Sequence, residues 1–416
     1  MTIRYGCVTC RRPVEAEGII YECPRCRAAA VSASRRVRPA AGYPRGYLSV
    51  VWTPSARAAP GSRIDPLDML PLRIRGSAAF PAGNTPLVAP ARLSARTGYP
   101  FLFFKNEALN PSGSLKDRAS LLVAEQAVAL GETRVALAST GNAGASMACA
   151  GAAYGLEIVL FVPAAAPRAK LLPSLLHGAR VVPVRGTYDD AYRLSIEYTQ
   201  ARGGINRSTA FNPLTVEGKK TVSVEIYNQM GCRVPDVVYV PTGDGVIYSG
   251  TCKGFADLMK AGCSDRMPRV VAVQVEGSNA IARAWREGRE TVLDGTSTIA
   301  DSLSVSRPAA GVMALGCLRR YGGRVVEVSD LQVRAAQAEL AKEAGLFVEP
   351  SSAAAWAGFL RDRDLVNARS SVVVLLTGTG FKDLKAAEHL VTMPAPCAAD
   401  LESALRLLAD TYGMKD

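Results

Sequence analysis

Apolar, β-branched runs alternate with helical periodicity along most of the chain. Val135–Ala138, Glu157–Val162, Arg180–Val184, Val237–Val240, Val270–Val275, Arg324–Val328 and Val372–Leu376 read as strands. Between nearly every pair lies a helical pattern, as at Asp189–Arg202, Leu331–Ala344 and Ser351–Leu360. Continuous apolar strands separated by helices predict parallel sheets covered on both faces. The expected fold class is therefore α/β, with mostly parallel sheets flanked by helices. Ligands of such sheets bind beyond the carboxyl ends of strands, so the segments that directly follow strands carry the candidate chemistry.

A short strand over Phe101–Lys105 leads into Asn110-Pro111-Ser112-Gly113-Ser114-Leu115-Lys116-Asp117-Arg118. This Pro/Ser/Gly turn delivers Lys116 to the first turn of an apolar helix predicted over Asp117–Leu130, with Gly131 where such a helix stops. The positive end of a helix disfavours a second positive charge beside it. A lysine held there and partly desolvated has a lowered pKa and is a usable amine nucleophile. Taken alone, Lys116 reads as a surface lysine after a turn.

Three more segments follow strands. Ser139-Thr140-Gly141-Asn142-Ala143-Gly144 opens a small-residue helix whose free N–H groups suit a carboxylate. Pro241-Thr242-Gly243-Asp244-Gly245-Val246-Ile247 is a Gly-x-Gly turn of the kind that makes an anion nest at a helix start. Leu376-Thr377-Gly378-Thr379-Gly380 is a third glycine-rich turn. Each is also what an ordinary strand-to-helix turn looks like; their combination and order give them weight.

The lysine segment resembles the cofactor-lysine motif of threonine synthases and their relatives, the pyridoxal-phosphate enzymes of the tryptophan-synthase-β-like fold (fold type II). The resemblance runs from about Gly83 to Asp383 and implies two open, twisted, mostly parallel sheets flanked by helices. It implies that Lys116 carries the cofactor aldehyde on its amine and later shuttles protons. It implies that Ser139, Thr140 and the backbone near Gly141 and Asn142 hold a substrate carboxylate. Asn142 would also face the cofactor's ring hydroxyl, Gly243 through Ile247 would cradle its phosphate, and Thr377 would meet its pyridine nitrogen. A neutral hydroxyl there leaves the nitrogen largely unprotonated, which suits elimination and replacement on amino acids. The chain departs from the family at Ala82, where an acidic residue is common, at Ala143, where Thr is frequent, and at Val246 and Ile247, where relatives carry more glycine.

Cys7, Cys10, Cys23 and Cys26 are spaced C-x2-C-x12-C-x2-C, the pattern of two knuckles closing on one zinc ion. Redox-active or vestigial thiols are the alternative. The other six cysteines are spread singly through apolar surroundings and are expected in the core. The expected division is a zinc-ribbon-like module over 1–34 and an arm over 35–79. A cofactor-binding large domain would take 80–130 and 232–395, a smaller mobile substrate domain 131–231, and a C-terminal helix 396–416.

The chain has 416 residues, 48% hydrophobic and 21% charged, a soluble globular composition. No run of 18 apolar residues and no hydrophobic leader appears, so a cytoplasmic location is expected, without a membrane partner. The net charge of +12 comes from scattered arginines without basic blocks, which argues against nucleic acid. With only His177 and His389, Ser-His-Asp chemistry and histidine metal sites are disfavoured. A homodimer is expected from the family alone.

The substrate is less legible. Asn206-Arg207-Ser208-…-Asn212-Pro213-Leu214-Thr215-Val216-Glu217-Gly218-Lys219-Lys220-Thr221 resembles the threonine synthase run Asn-Ser-…-Asn-Pro-Tyr-Arg-Leu-Glu-Gly-Gln-Lys-Thr. There the Arg helps hold the phosphate of O-phosphohomoserine; here Thr215 takes its place. Arg207 and Lys219 are the candidate substitutes, although a solvated charge is the default reading of each. The leading expectation is a lyase of amino-acid biosynthesis, threonine synthase-like. The alternatives are β-replacement or dehydration of an O-phosphoserine- or threonine-like substrate, as in cysteate synthases, and a non-catalytic zinc-ribbon binding protein.

Overall fold

The computed structural model describes residues 2–18, 20–34, 46–55, 57–290 and 297–414. The chain groups into two compact units, 1–382 and 383–416. In the second, Asp400 caps the helix Leu401–Tyr412 by accepting from the Ser403 amide at 2.8 Å, and Gly413 ends it in the left-handed region.

Among the described residues the first unit holds three sheets. β1 (Thr2–Cys7), β2 (Pro13–Glu17) and β3 (Leu48–Val50) form a small antiparallel sheet in the order β2-β1-β3. β3 thus falls within the segment expected to be an arm, whose residues 35–45 and 56 lie outside the described ones. β4 (Leu87–Val88) and β5 (Leu102–Asn106) belong to a six-stranded sheet. β6 (Arg134–Ala138), β7 (Glu157–Pro163), β8 (Arg180–Val184) and β9 (Ile205–Asn206) form an all-parallel sheet in the order β8-β7-β6-β9. β10 (Val237–Pro241), β11 (Arg269–Val275), β12 (Arg324–Val328) and β13 (Val372–Leu376) complete the six-stranded sheet, β12-β11-β10-β13-β5-β4. Only β4 runs antiparallel within it.

The alternation of strand side chains explains why β10 and β13 are apolar throughout. Val238, Val240, Val373 and Leu375 share one core with Tyr248, Phe255 and Leu258 of the helix Val246–Ala261. Val237, Tyr239, Val372 and Val374 point the other way, into a core with Trp356 and Phe359 of the helix Pro350–Asp362. There the Trp356 ring stacks on Phe359 and meets Phe104 edge-on.

Three helices meet almost backbone to backbone: Lys116–Ala129, Leu214–Gln229 and Val246–Ala261. A Cβ on Gly218 would collide with the Arg118 carbonyl, and one on Gly254 with the Lys220 carbonyl. These two glycines therefore bring the start of each helix toward the same end of the six-stranded sheet. Arg118 ties the cluster together, bonded to Glu107 and Glu225 in a wholly buried network with Lys105. Of the six cysteines expected in the core, Cys252 and Cys263 are buried and three are half-buried; Cys397, in the second unit, is exposed, so the apolar character of its surroundings in sequence did not report burial.

Candidate active site

The segments after β6, β10 and β13 line one cavity of about 550 Å³, a size ordinary for a small-ligand site. Lys116, Ser139, Thr140, Gly141, Asn142, Gly243, Asp244, Gly245, Ile247 and Thr377 all contribute to its wall. Val246 does not: its side chain is buried and its amide donates to Asp244 Oδ1 at 3.0 Å.

Lys116 is the first residue of its helix, one position earlier than the sequence pattern suggested. Burial holds its amine below the ordinary lysine value; Asp244 and Glu349 oppose that fall and Arg207 adds to it. Around the amine stand four helix starts, at Lys116, Asn142, Val246 and Pro350, each with its positive end toward the cavity.

Two sets of backbone donors face this space. Among the described residues, the amides of Gly243, Asp244, Gly245 and Ile247 have no protein acceptor. The loop that carries them needs its glycines. Gly245 has φ +88, and a Cβ there would meet the Ala310 carbonyl at 2.9 Å. Near Asn142, the amides of Thr140, Asn142 and Ala143 are likewise without an acceptor, whereas the Gly141 amide donates to Ser139 Oγ at 3.3 Å. Ser139 Oγ also takes the Gly144 amide at 3.1 Å, so this serine shapes the loop as well as lining the cavity.

Asp244 places a carboxylate inside a nest built for anions. Burial raises its pKa, but the charges of Lys116 and Lys219, with bonds from the Thr209 hydroxyl and the Val246 amide, outweigh it and hold the group ionised. Thr377 Oγ1 lies 3.1 Å from Ser352 Oγ, which itself takes the Gly378 amide at 2.7 Å and so fixes the turn.

Sequence reasoning missed several wall residues. Glu349 accepts from Asn142 Nδ2 at 3.0 and 2.8 Å and is the N-cap of the helix that begins at Pro350. Its signal was present, since a carboxylate before a proline at a helix start complements the dipole. Tyr188 and Thr209 carried no comparable signal, nor did the segment Asp301–Arg307.

The donor set fits pyridoxal phosphate. Four unpartnered amides at a glycine-walled helix start match a phosphate, and Lys116, whose amine has no protein hydrogen bond among the described residues, matches an aldehyde.

Comparison with known proteins agrees. The family described as pyridoxal-phosphate dependent enzyme matches residues 79–378. The threonine synthase of Methanosarcina acetivorans is 30% identical over 95% of this chain and 96% of its own length. That of Methanocaldococcus jannaschii is 31% identical over 79% of this chain and 82% of its own. Among solved structures, diaminopropionate ammonia lyase from Escherichia coli superposes with a TM-score of 0.66 at 18% identity, over 80% of this chain and 94% of that one. Maize serine racemase does so with a TM-score of 0.64 at 22% identity, over 79% of this chain and 98% of that one. Sheet order and likeness to relatives lead to the same place: this chain belongs to the pyridoxal-phosphate-dependent enzymes of fold type II, and among them to the lyases of threonine synthase type.

Proposed function

We propose that the enzyme converts O-phosphohomoserine to threonine and inorganic phosphate, working in the cytoplasm as a homodimer. The observation that carries this reading is the position of Lys116, between one set of free amides suited to the cofactor's phosphate and another suited to an amino acid's carboxylate. When bound, pyridoxal phosphate supplies an electron sink for the bonds at the substrate's α-carbon. The chain's own groups do the rest. The amides of Thr140, Asn142 and Ala143 orient the carboxylate, and Asn142, held by Glu349, meets the ring oxygen. The Lys116 amine, lowered by burial, takes the Cα proton and carries protons between neighbouring carbons as phosphate departs from Cγ, and a water then adds its hydroxyl at Cβ. Thr377 offers a neutral partner to the ring nitrogen. Residues 131–231, which carry β6 to β9, act in this reading as the smaller substrate domain.

The four-cysteine module holds a structural zinc in this reading. Its sulfurs all lie within 4.8 Å of one another, with Cys7 and Cys26 at 3.6 Å and Cys10 and Cys23 at 3.8 Å. Tetrahedral Zn–S bonds of about 2.3 Å require sulfurs about 3.8 Å apart.

Thr215 in place of the family's arginine favours one second reading, β-replacement or dehydration of a phosphoserine- or threonine-like substrate. Holoenzyme given O-phosphohomoserine, O-phosphoserine and threonine separately decides between them. Threonine and phosphate in equal amounts from the first substrate supports the proposal. A keto acid from threonine, with no turnover of O-phosphohomoserine, sinks it.

A further inference from the structure

Two buried cations that are not themselves part of the cavity wall act on the wall residues Lys116 and Asp244, and neither has a counter-ion of its own. Arg207 follows β9, its amide donating to the Ala136 carbonyl at 2.9 Å, and it is 1% exposed. Its Nε and Nη2 are enclosed and have no hydrogen-bond partner. Lys219, 2% exposed, makes no ion pair or hydrogen bond among the described residues. Both were expected at the surface, and the structure corrects that. Lys219 is held against the helix that begins at the phosphate nest, where a Cβ on Gly250 would come within 2.9 Å of its own Cβ. The carboxylate that acts on both cations is Asp244, already engaged by Thr209 and the Val246 amide.

A buried cation without a partner is strongly unfavourable, so its retention calls for a ligand that supplies the missing charge. Thr215 is not an alternative holder of an anion, since its hydroxyl is committed to the carbonyls of Thr209 at 2.6 Å and Asn212 at 2.9 Å. The free amides of Gly243 to Ile247 already suit one phosphate, that of the cofactor. We propose that Arg207 and Lys219 form a second phosphate-monoester subsite, which takes the phosphate of the substrate in place of the arginine missing at position 215. This deepens the function proposed above and rests on it. The planar fork of Arg207 and the point charge of Lys219 together match a dianion.

Binding of such a dianion shifts the Lys219 amine toward its protonated form. Burial, then the charges of Lys116 and Arg207, push that amine well below the ordinary lysine value, with Asp244 the opposing group. A dianion alongside reverses the balance.

The test is calorimetric titration of inorganic phosphate into holoenzyme, in buffers of different ionisation enthalpy, for wild type, Lys219→Gln and Arg207→Met. Wild type should bind with proton uptake, and each variant should bind at least about tenfold more weakly, with the uptake lost in Lys219→Gln. Arg207→Met should keep or raise the melting temperature, because it removes an unpaired buried charge; a merely structural arginine would lower it. A second arm compares the affinity of apoenzyme for pyridoxal phosphate and for pyridoxal. A loss confined to pyridoxal phosphate would assign the subsite to the cofactor's phosphate instead of the substrate's. Unchanged affinities in both arms would overturn the subsite. If wild type binds phosphate through these residues yet does not turn over O-phosphohomoserine, the subsite stands and the substrate reading fails.

Discussion

The side-chain amide of Asn142 donates to both carboxylate oxygens of Glu349, at 3.0 and 2.8 Å. This bond links the loop after β6 in the four-stranded sheet to the helix start at Pro350, which packs on the six-stranded sheet. It fixes the orientation of a side-chain amide in the cavity wall. Glu349 is thus a positioning residue with respect to Asn142.

Glu349→Ala should lower kcat through this link. A hydrogen bond to a charged group is worth roughly 1.5–3 kcal/mol, which corresponds to a rate loss of about 10- to 150-fold if it is expressed in the transition state. Glu349→Gln, which keeps one acceptor, should lose less. Steady-state phosphate release measures kcat, and the cofactor's visible absorbance band reports the altered surroundings of its ring. A normal kcat together with an unshifted band in Glu349→Ala would remove the role.

The depressed Lys116 amine makes a signed prediction about pH. Cofactor capture by apoenzyme needs the free amine, so its rate should rise with pH and level off below the ordinary lysine value of about 10.4. Asp244→Asn removes a charge that favours the protonated amine, so the midpoint should move to lower pH. Arg207→Gln removes a charge that disfavours it, so the midpoint should move up. Stopped-flow absorbance follows capture, and borohydride reduction with peptide mapping locates the adduct. Midpoints that moved in the reverse directions would contradict this electrostatic account.

The strands were legible because burial on both faces leaves an unbroken β-branched run. Val372–Leu376 is buried throughout and falls on the residues expected; Arg180–Val184 and Arg324–Val328 do so too, although as edge strands they are only partly buried. The wall segments after β6, β10 and β13 were legible because glycine and small residues are needed wherever backbone must face a ligand. Tyr188 and the 301–307 segment were not read, since each reaches the cavity through tertiary packing without a local pattern, whereas the local signal of Glu349, a carboxylate before a helix-starting proline, went unread. Arg207 and Lys219 were misread for a related reason. A charged residue is normally solvated, and what buries these two is contact between elements far apart in sequence, such as Gly250 against Lys219.

Arg118 is the residue whose loss should cost the most stability. Its Nε and Nη2 each donate to Glu107 at 2.7 Å, and its Nη1 and Nη2 to Glu225 at 2.7 Å. Burial raises the Glu225 carboxyl, but Arg118 and Lys105 outweigh it and bring its pKa to about 2. Arg118→Met would leave buried Glu107 without its ion-pair partner and Glu225 with Lys105 alone, at a cost of about 3–5 kcal/mol. Because the folded value lies below the unfolded one, this part of the stability is present above pH 4.5 and is lost as pH falls toward 2. Urea midpoints should therefore drop strongly in Arg118→Met at pH 7, and the gap from wild type should narrow in acid. A gap that widened in acid would contradict the assignment.

Gly46 offers a sharper test of the four-cysteine centre than removal of a ligand. It has φ +86 and its carbonyl accepts from the Cys23 amide at 3.0 Å. A Cβ there would lie 2.6 Å from Cys26 Cβ and 3.1 Å from Cys23 Cβ. Gly46→Ala leaves all four sulfurs in the chain but forces the second knuckle to shift, with added backbone strain. Cys7→Ser removes one sulfur outright and leaves that backbone alone. Both variants should lose zinc by elemental analysis and melt at lower temperature. The borohydride-reducible adduct at Lys116 should still form, since that site lies on other elements. Zinc content equal to wild type in Cys7→Ser would remove that cysteine from the ligand set. Full zinc content in Gly46→Ala would show that the close approach of Gly46 to the second knuckle is not needed to hold the metal.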